Sequence, residues 1–464
     1  PRVRRQRQMC IRDSYQSVQA AEADVNIYVA EMRFFRALEY FNKIQLLGDV
    51  PWLEVDLNVD SEELYGPKMK RNQVFQKIIE DLDFAIQWLP EAGSEEANRL
   101  NKDIARHVKA RFCLNEGTHY KYHDELEYAS EAEKWLQMAA TESDKLITSG
   151  RYEIYNTGHP QEDYFNMYRI DDKSDLKEAV LYVDYKTNIR EHNMAAAGRE
   201  AGCGFSKSFV ESFLCSDGLP ISLSNKYLGD ETMRKETANR DPRLKQLILT
   251  NDFPTNVTDD LKDSTFVVNE DEFITQHCFT GYRPIKGFNP IYSQALYMKS
   301  SFDGIAYRYA ETLLINAEAK AELNTITNAD LDRTVNQLRD RVGMPHLTVN
   351  VGFTDPKWPD WGYSLSPVLQ EIRRERCIEL AGEGFRFNDL KRWKAGKLLN
   401  NVLTYVGKRK PDGNLAIVYP NYTNPDLSYQ AGKSRTWEDK MYLYPIPTGE
   451  LQRNPQLLPQ NPGW

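Results

Sequence analysis

Long apolar runs are missing from this chain: no stretch approaches the roughly 18 consecutive apolar residues of a membrane-crossing helix, so none is expected. Cysteine is sparse, with Cys10, Cys113, Cys203, Cys215, Cys278 and Cys377 forming no C-x-x-C pair and having no histidine at metal spacing. They read as buried thiols and not as a zinc site. The signatures G-x-S-x-G, G-x-x-x-x-G-K-[ST], H-E-x-x-H and G-x-G-x-x-G are absent, and Gly202-Cys203-Gly204 is only a fragment of the last. No catalytic residue, metal ion or cofactor is therefore assigned. Positive charge is not in excess either: 59 Lys and Arg face 68 Asp and Glu, a net charge of −9, and the basic residues are dispersed. Phosphate binding needs them concentrated, which argues against nucleic acid as a partner. Five arginines crowd the first twelve residues without an apolar stretch after them, which is not a signal peptide. Residues 1–14 are read as a non-native leader and kept out of the fold argument.

What the chain does have is length, helical spacing and aromatics. At 464 residues it exceeds what one compact core usually holds, so two lobes or an extended scaffold with insertions is expected. Ile27, Ala30, Phe34, Ala37, Phe41 and Ile44 fall on one helical face, stopped by Gly48 and Pro51; Val74, Ile78, Leu82, Ala85 and Leu89 repeat the pattern up to Pro90. A second pair starts near Asn101 and Ser130. Further helices are expected from Ala306 to Ala321, Asn328 to Val342, Ser366 to Ala381 and Phe387 to Leu399. The predicted class is mainly α: an irregular, tetratricopeptide-like scaffold of helical hairpins carrying a large loop-rich, short-strand insertion. The parts are residues 15–150 as the N-terminal helical pairs, 151–304 as the excursion, and 305–464 as the C-terminal pairs and tail.

Several charged groups read as structural. Glu371 with Arg374, Arg376 with Glu379 and Asp389 with Arg392 stand at i,i+3 and suggest ion pairs along helices. His119 and His123 are four apart but lack a third ligand. Aromatics make up 11% of the chain, including 26 Tyr and 8 Trp. Trp358 and Trp361 sit among Pro356, Pro359 and Gly362, where a regular helix is forbidden and an indole can stay part exposed to stack on a flat ligand such as a sugar ring. In the excursion, His192, Asn193, Arg199, Tyr282, Arg283 and Tyr292 are polar or aromatic residues on expected loops. With the two tryptophans they form the candidate ligand-binding set. Residue types alone leave open a helical-scaffold glycoside hydrolase or a tetratricopeptide-like adaptor.

The order of motifs narrows this. Met32-Arg33-Phe34-Phe35-Arg36-Ala37 leading to Gly48-Asp49-Val50-Pro51, then Asn115-Glu116-Gly117, Phe213 to Pro220 and Arg240-Asp241-Pro242-Arg243 occur in sequence. They are followed by Tyr307-Arg308-Tyr309-Ala310-Glu311, Glu371-Ile372-Arg373-Arg374-Glu375-Arg376, Gly384-Phe385-Arg386-Phe387-Asn388-Asp389-Leu390, and an ending from Tyr444-Pro445-Ile446-Pro447 to Asn461-Pro462-Gly463-Trp464. From about residue 25 onward the chain resembles the SusD/RagB family. The resemblance implies a non-enzymatic, cell-surface lipoprotein of the outer membrane that captures oligosaccharide, or in some relatives peptide. The ligand would pass to a SusC-like TonB-dependent transporter. It also implies that a lipid anchor and further N-terminal helices belong to the full-length protein and are absent from this chain.

Overall fold

A computed structural model of the chain describes residues 22–94, 98–195, 204–417 and 436–464. Its architecture is mainly helical, with helical hairpins and three small two-stranded sheets among the described residues. No described helix is long and apolar enough to cross a membrane. The chain divides into two compact units: the described residues up to Lys109 together with Lys440–Trp464, and Ala110–Asp439.

In the first unit, α1 (Glu22–Leu47) packs on α2 (Arg71–Trp88). Ala30, Phe34, Ala37, Phe41 and Ile44 of α1 are buried, as are Val74, Phe75, Ile78, Leu82 and Ala85 of α2, the expected three-four stripes. Asp81 is buried in this layer, and Arg36 forks onto it at 2.7 and 2.6 Å. The Gly-Asp-Val-Pro turn has a physical task at each position. Gly48 takes φ +75° and closes α1 by donating to the Ile44 carbonyl at 3.0 Å. Asp49 accepts the first N–H of α2, from Arg71, at 2.9 Å, and Val50 pairs with Met69. The tail returns to the same corner: the Tyr444 N–H and the Asn461 amide donate to the Leu46 and Leu47 carbonyls at 2.7 and 2.9 Å. A helix end leaves such carbonyls without partners, and the tail supplies them.

Two helices follow, α3 (Lys102–Tyr122) and α4 (Ala129–Thr148). Gly117 lets them approach, since a Cβ there would lie 2.9 Å from Leu136 Cγ. The second unit is built around α5 (Tyr309–Glu322), in which only Lys320 escapes burial and which packs on α4 and on α8 (Pro367–Glu379). Its Asn316 amide reaches the Ala140 carbonyl at 3.0 Å and Ser143 Oγ at 3.1 Å. Between α5 and α8 lie α6 (Asn328–Asp332) and α7 (Val335–Arg341), and α9 (Arg386–Arg392) follows.

Three boundaries differ from the sequence reading. Ala306 and Tyr307 belong to a strand, Gly304–Arg308, which pairs with Ala179–Val183, so α5 starts only at Tyr309. The helix expected from Asn328 to Val342 breaks at Arg333–Thr334, where the Thr334 hydroxyl bonds back to the Asp330 carbonyl at 2.6 Å. The last helix stops at Arg392 instead of reaching Leu399. The region 150–304 is loops, short helical turns and strands of two to five residues among its described residues, pinned to the helices by a buried ionic cluster. Glu379 receives Arg341 at 2.6 Å, Arg308 at 2.6 Å and Arg243 at 3.0 Å. Arg376 turns instead to Asp389 at 2.9 Å, so the anticipated Arg376–Glu379 pair does not form. The other two i,i+3 pairs do, Glu371–Arg374 at 3.2 Å and Asp389–Arg392 at 2.9 Å.

Candidate functional site

The sequence-derived residues scatter over three environments. Trp361 is core: it is 6% exposed, its ring meets Trp393 edge-on at 5.4 Å, Arg373 lies 4.8 Å above it, and its Nε1 donates to Gln370 at 2.6 Å. Tyr282 is fully buried, with its hydroxyl on both oxygens of Glu236 at 2.8 Å and Lys207 Nζ at 3.3 Å. Neither presents a surface to a ligand. Trp358 is half-buried in its Pro-rich loop, its Nε1 on Glu371 at 2.7 Å and its ring 6.0 Å from Phe353. Arg283 is half-buried with its guanidinium 5.1 Å from the Phe288 ring, and its carbonyl accepts from Leu249 N–H at 2.8 Å. Arg199, like Cys10 and Cys203, lies outside the described residues. His123 of the histidine pair is occupied on both nitrogens, by Glu125 at 2.9 Å and the Lys391 carbonyl at 2.8 Å.

The remaining three, His192, Asn193 and Tyr292, come together on two loops of the excursion, 184–195 and 290–303. The segments run side by side where His192 and Ser300 exchange backbone bonds at 2.9 and 3.2 Å. His192 is held on both nitrogens. Nε2 lies 2.9 Å from the Phe302 carbonyl, and Nδ1 accepts the Met194 N–H at 3.1 Å, which makes Nε2 the protonated one. Burial keeps this imidazole below its ordinary pKa, so it stays neutral. It packs edge-on against Tyr185 at 4.6 Å and Phe302 at 4.5 Å. His192 is thus a brace between the loops. Asn193 Oδ1 accepts the Met298 N–H at 3.1 Å across the same junction.

On the two loops Tyr297 is 76% exposed and Tyr292 51%, and Met194, Ile189, Leu296 and Met298 are exposed as well. Arg190 stacks on Tyr185 at 4.8 Å. The loop around Tyr292 is anchored from below by Tyr292 N–H on the Val257 carbonyl and Ser293 N–H on Asp259, both at 2.9 Å. Several exposed large apolar side chains on braced loops make this a candidate interaction site. Tyrosines with exposed ring faces suit stacking on the C–H faces of sugars. Tyr297 and Met194 are not in the sequence-derived set, and neither has a glycine or proline beside it. The available signal was the Tyr292-Ser293-Gln294-Ala295-Leu296-Tyr297 run within a non-helical stretch.

The model of the SusD family matches residues 146–464, more than two thirds of the chain. The chain belongs to the SusD family. A SusD-like protein P2 of Formosa agariphila is 25% identical over 456 residues, covering 96% of this chain and 75% of that protein. A SusD-like protein from Bacteroides fragilis of known crystal structure is 25% identical with a TM-score of 0.72, covering 97% of this chain and 82% of its own. A second crystal structure from that organism, a SusD-like carbohydrate binding protein, is 22% identical with a TM-score of 0.69, covering 97% and 83%. The SusD fold of this chain is therefore shown by sequence and by structure together.

Proposed function

We propose that this protein captures oligosaccharide at the outer surface of the outer membrane and passes it, without bond making or breaking, to a TonB-dependent barrel transporter. The observation that carries this reading is the exposure of Tyr292 and Tyr297 on the 290–303 loop, which His192 braces to the 184–195 loop. A binder of this kind needs planar apolar faces for the sugar, held on loops that are fixed against each other, and Asn193 Oδ1 ties the two loops at the Met298 N–H. Membership of the SusD family, one of whose solved relatives is described as carbohydrate binding, supports a glycan over a peptide. Trp358 and Arg283, both part exposed, are secondary contacts in this proposal; Trp361 and Tyr282 are core residues outside it. Localisation at the cell surface through a lipid anchor of the full-length protein is part of the same proposal. So is a SusC-like transporter as partner.

Affinity in the millimolar to micromolar range, about −4 to −8 kcal/mol, suits capture followed by release. A printed array of plant, algal and animal oligosaccharides, followed by calorimetry on the strongest hit, tests the reading. Binding of at least one glycan that weakens in Tyr297→Ala supports it. A protein that binds nothing on the array, or whose affinity ignores Tyr297, does not fit it.

A further inference from the structure

One residue at the rim of the tyrosine surface breaks a local rule. The segment Leu296 to Lys299 is a turn closed by the Lys299 N–H on the Leu296 carbonyl at 3.2 Å, and its third residue, Met298, has φ +55°. A left-handed third residue is the place of Gly or Asn in a type II turn, because a side chain there crowds the backbone. Core packing does not hold Met298 in this state, since it is 43% exposed. What does hold its backbone is the Asn193 side chain, whose Oδ1 takes the Met298 N–H at 3.1 Å. Strained residues persist where the surroundings over-determine them, and they gather at ligand clamps. The strained position is next to Tyr297, the most exposed aromatic of the loop pair.

We infer that Asn193 is a positioning residue: by clamping the Met298 amide it fixes the 296–299 turn, so that Tyr297 meets the ligand preorganised. The inference rests on the proposed reading of this surface as the glycan site. The clamp spans two loops that His192 already braces through Ser300 and Phe302, so Asn193 adds control of the turn itself and not of loop separation. Holding a stacking ring in its bound orientation lowers the ordering cost of binding. Asn193 Oδ1, engaged by the Met298 N–H, acts on the ligand through Tyr297.

The test compares wild type with Asn193→Ala, with Asn193→Ala combined with Met298→Gly, and with Tyr297→Ala. Each is titrated with the oligosaccharide that wild type binds most strongly on the array. Hydrogen–deuterium exchange of the peptide spanning residues 295–301 is followed in parallel. Asn193→Ala is expected to speed exchange at the Met298 amide and to weaken binding roughly threefold to tenfold, the scale of one hydrogen bond, with the melting temperature unchanged. Glycine at 298 takes the left-handed conformation without help, so the double variant is expected to regain binding. Unchanged exchange and affinity in Asn193→Ala would overturn the inference. A loss that the double variant does not recover would overturn it as well, because Asn193 would then touch the sugar itself. Wild-type affinity in Tyr297→Ala would instead bring down the reading of this surface as the glycan site, whatever the exchange data show.

Discussion

Two tryptophans three residues apart, Trp358 and Trp361, have opposite fates, and the cause is distant in sequence. Trp361 closes a box around Arg373 with Trp393, Tyr363 and Tyr122, whose guanidinium–ring distances run from 4.3 to 5.8 Å, and Glu322 neutralises that arginine at 2.9 Å. Local spacing carries no trace of Tyr122 or Trp393 arriving there, which is why both indoles read alike from the sequence. Replacing Trp361 by Ala is expected to cost about 3–5 kcal/mol of stability by denaturant unfolding, as for other buried aromatics. Tyr297→Ala should leave the unfolding midpoint in place and weaken glycan binding about threefold to tenfold, the value of one aromatic stack. The two variants measured side by side separate a core ring from a ligand ring. At this scale the sequence pointed to loops more than to atoms: Asn193, His192 and Tyr292 lie on the braced pair that the proposal uses, whereas Tyr297 has no neighbouring glycine or proline to single it out.

At the scale of elements, the helices were legible because burial on one face imposes a three-four period, and α1, α2, α4 and α8 follow it. Boundaries that depend on tertiary partners were not. The strand Gly304–Arg308 hides inside an apolar stripe because its end residue, Arg308, is needed by Glu178 at 3.0 Å, Glu379 at 2.6 Å and Glu383 at 2.7 Å. Pinning an irregular excursion to helices through buried charges makes each partner expensive to remove. Glu379→Gln should destabilise by about 3–5 kcal/mol, since three arginines lose their shared counter-charge. Burial alone would raise the Glu379 pKa, but Arg341, Arg308 and Arg243 together hold it well below the ordinary value. The folded pKa is thus lower than the unfolded one. The stabilisation it brings is complete above about pH 4.3 and is lost as the pH falls through the folded pKa. Urea titrations across pH 3 to 7 should therefore show the wild type losing stability toward acid more steeply than Glu379→Gln. A parallel slope would mean that the cluster is not ionised as drawn. Close helix approach makes its own demand: Gly117→Ala pushes a methyl onto Leu136 and should cost about 1–3 kcal/mol in the same assay.

For the molecule as a whole, the scaffold and the work it supports are separate questions. Membership of the SusD family accounts for the helical frame and the long excursion. The transfer of a captured sugar to a barrel belongs to the proposal. A stable lid on a transporter would bury on the order of 2,000 Å² or more, enough for the anchored protein to co-purify with an outer-membrane barrel from detergent extracts. Recovery of the anchored protein with no barrel attached would argue against that partnership. The claim that matters most is that the protein holds an oligosaccharide and returns it unchanged. It is tested most directly by incubating the purified protein with its strongest array ligand at a concentration well above the dissociation constant, then recovering the ligand and weighing it by mass spectrometry. The account predicts saturable one-site binding, abolished or weakened in Tyr292→Ala combined with Tyr297→Ala, and a ligand mass identical before and after. Shorter oligosaccharides that appear in proportion to time and protein would contradict it.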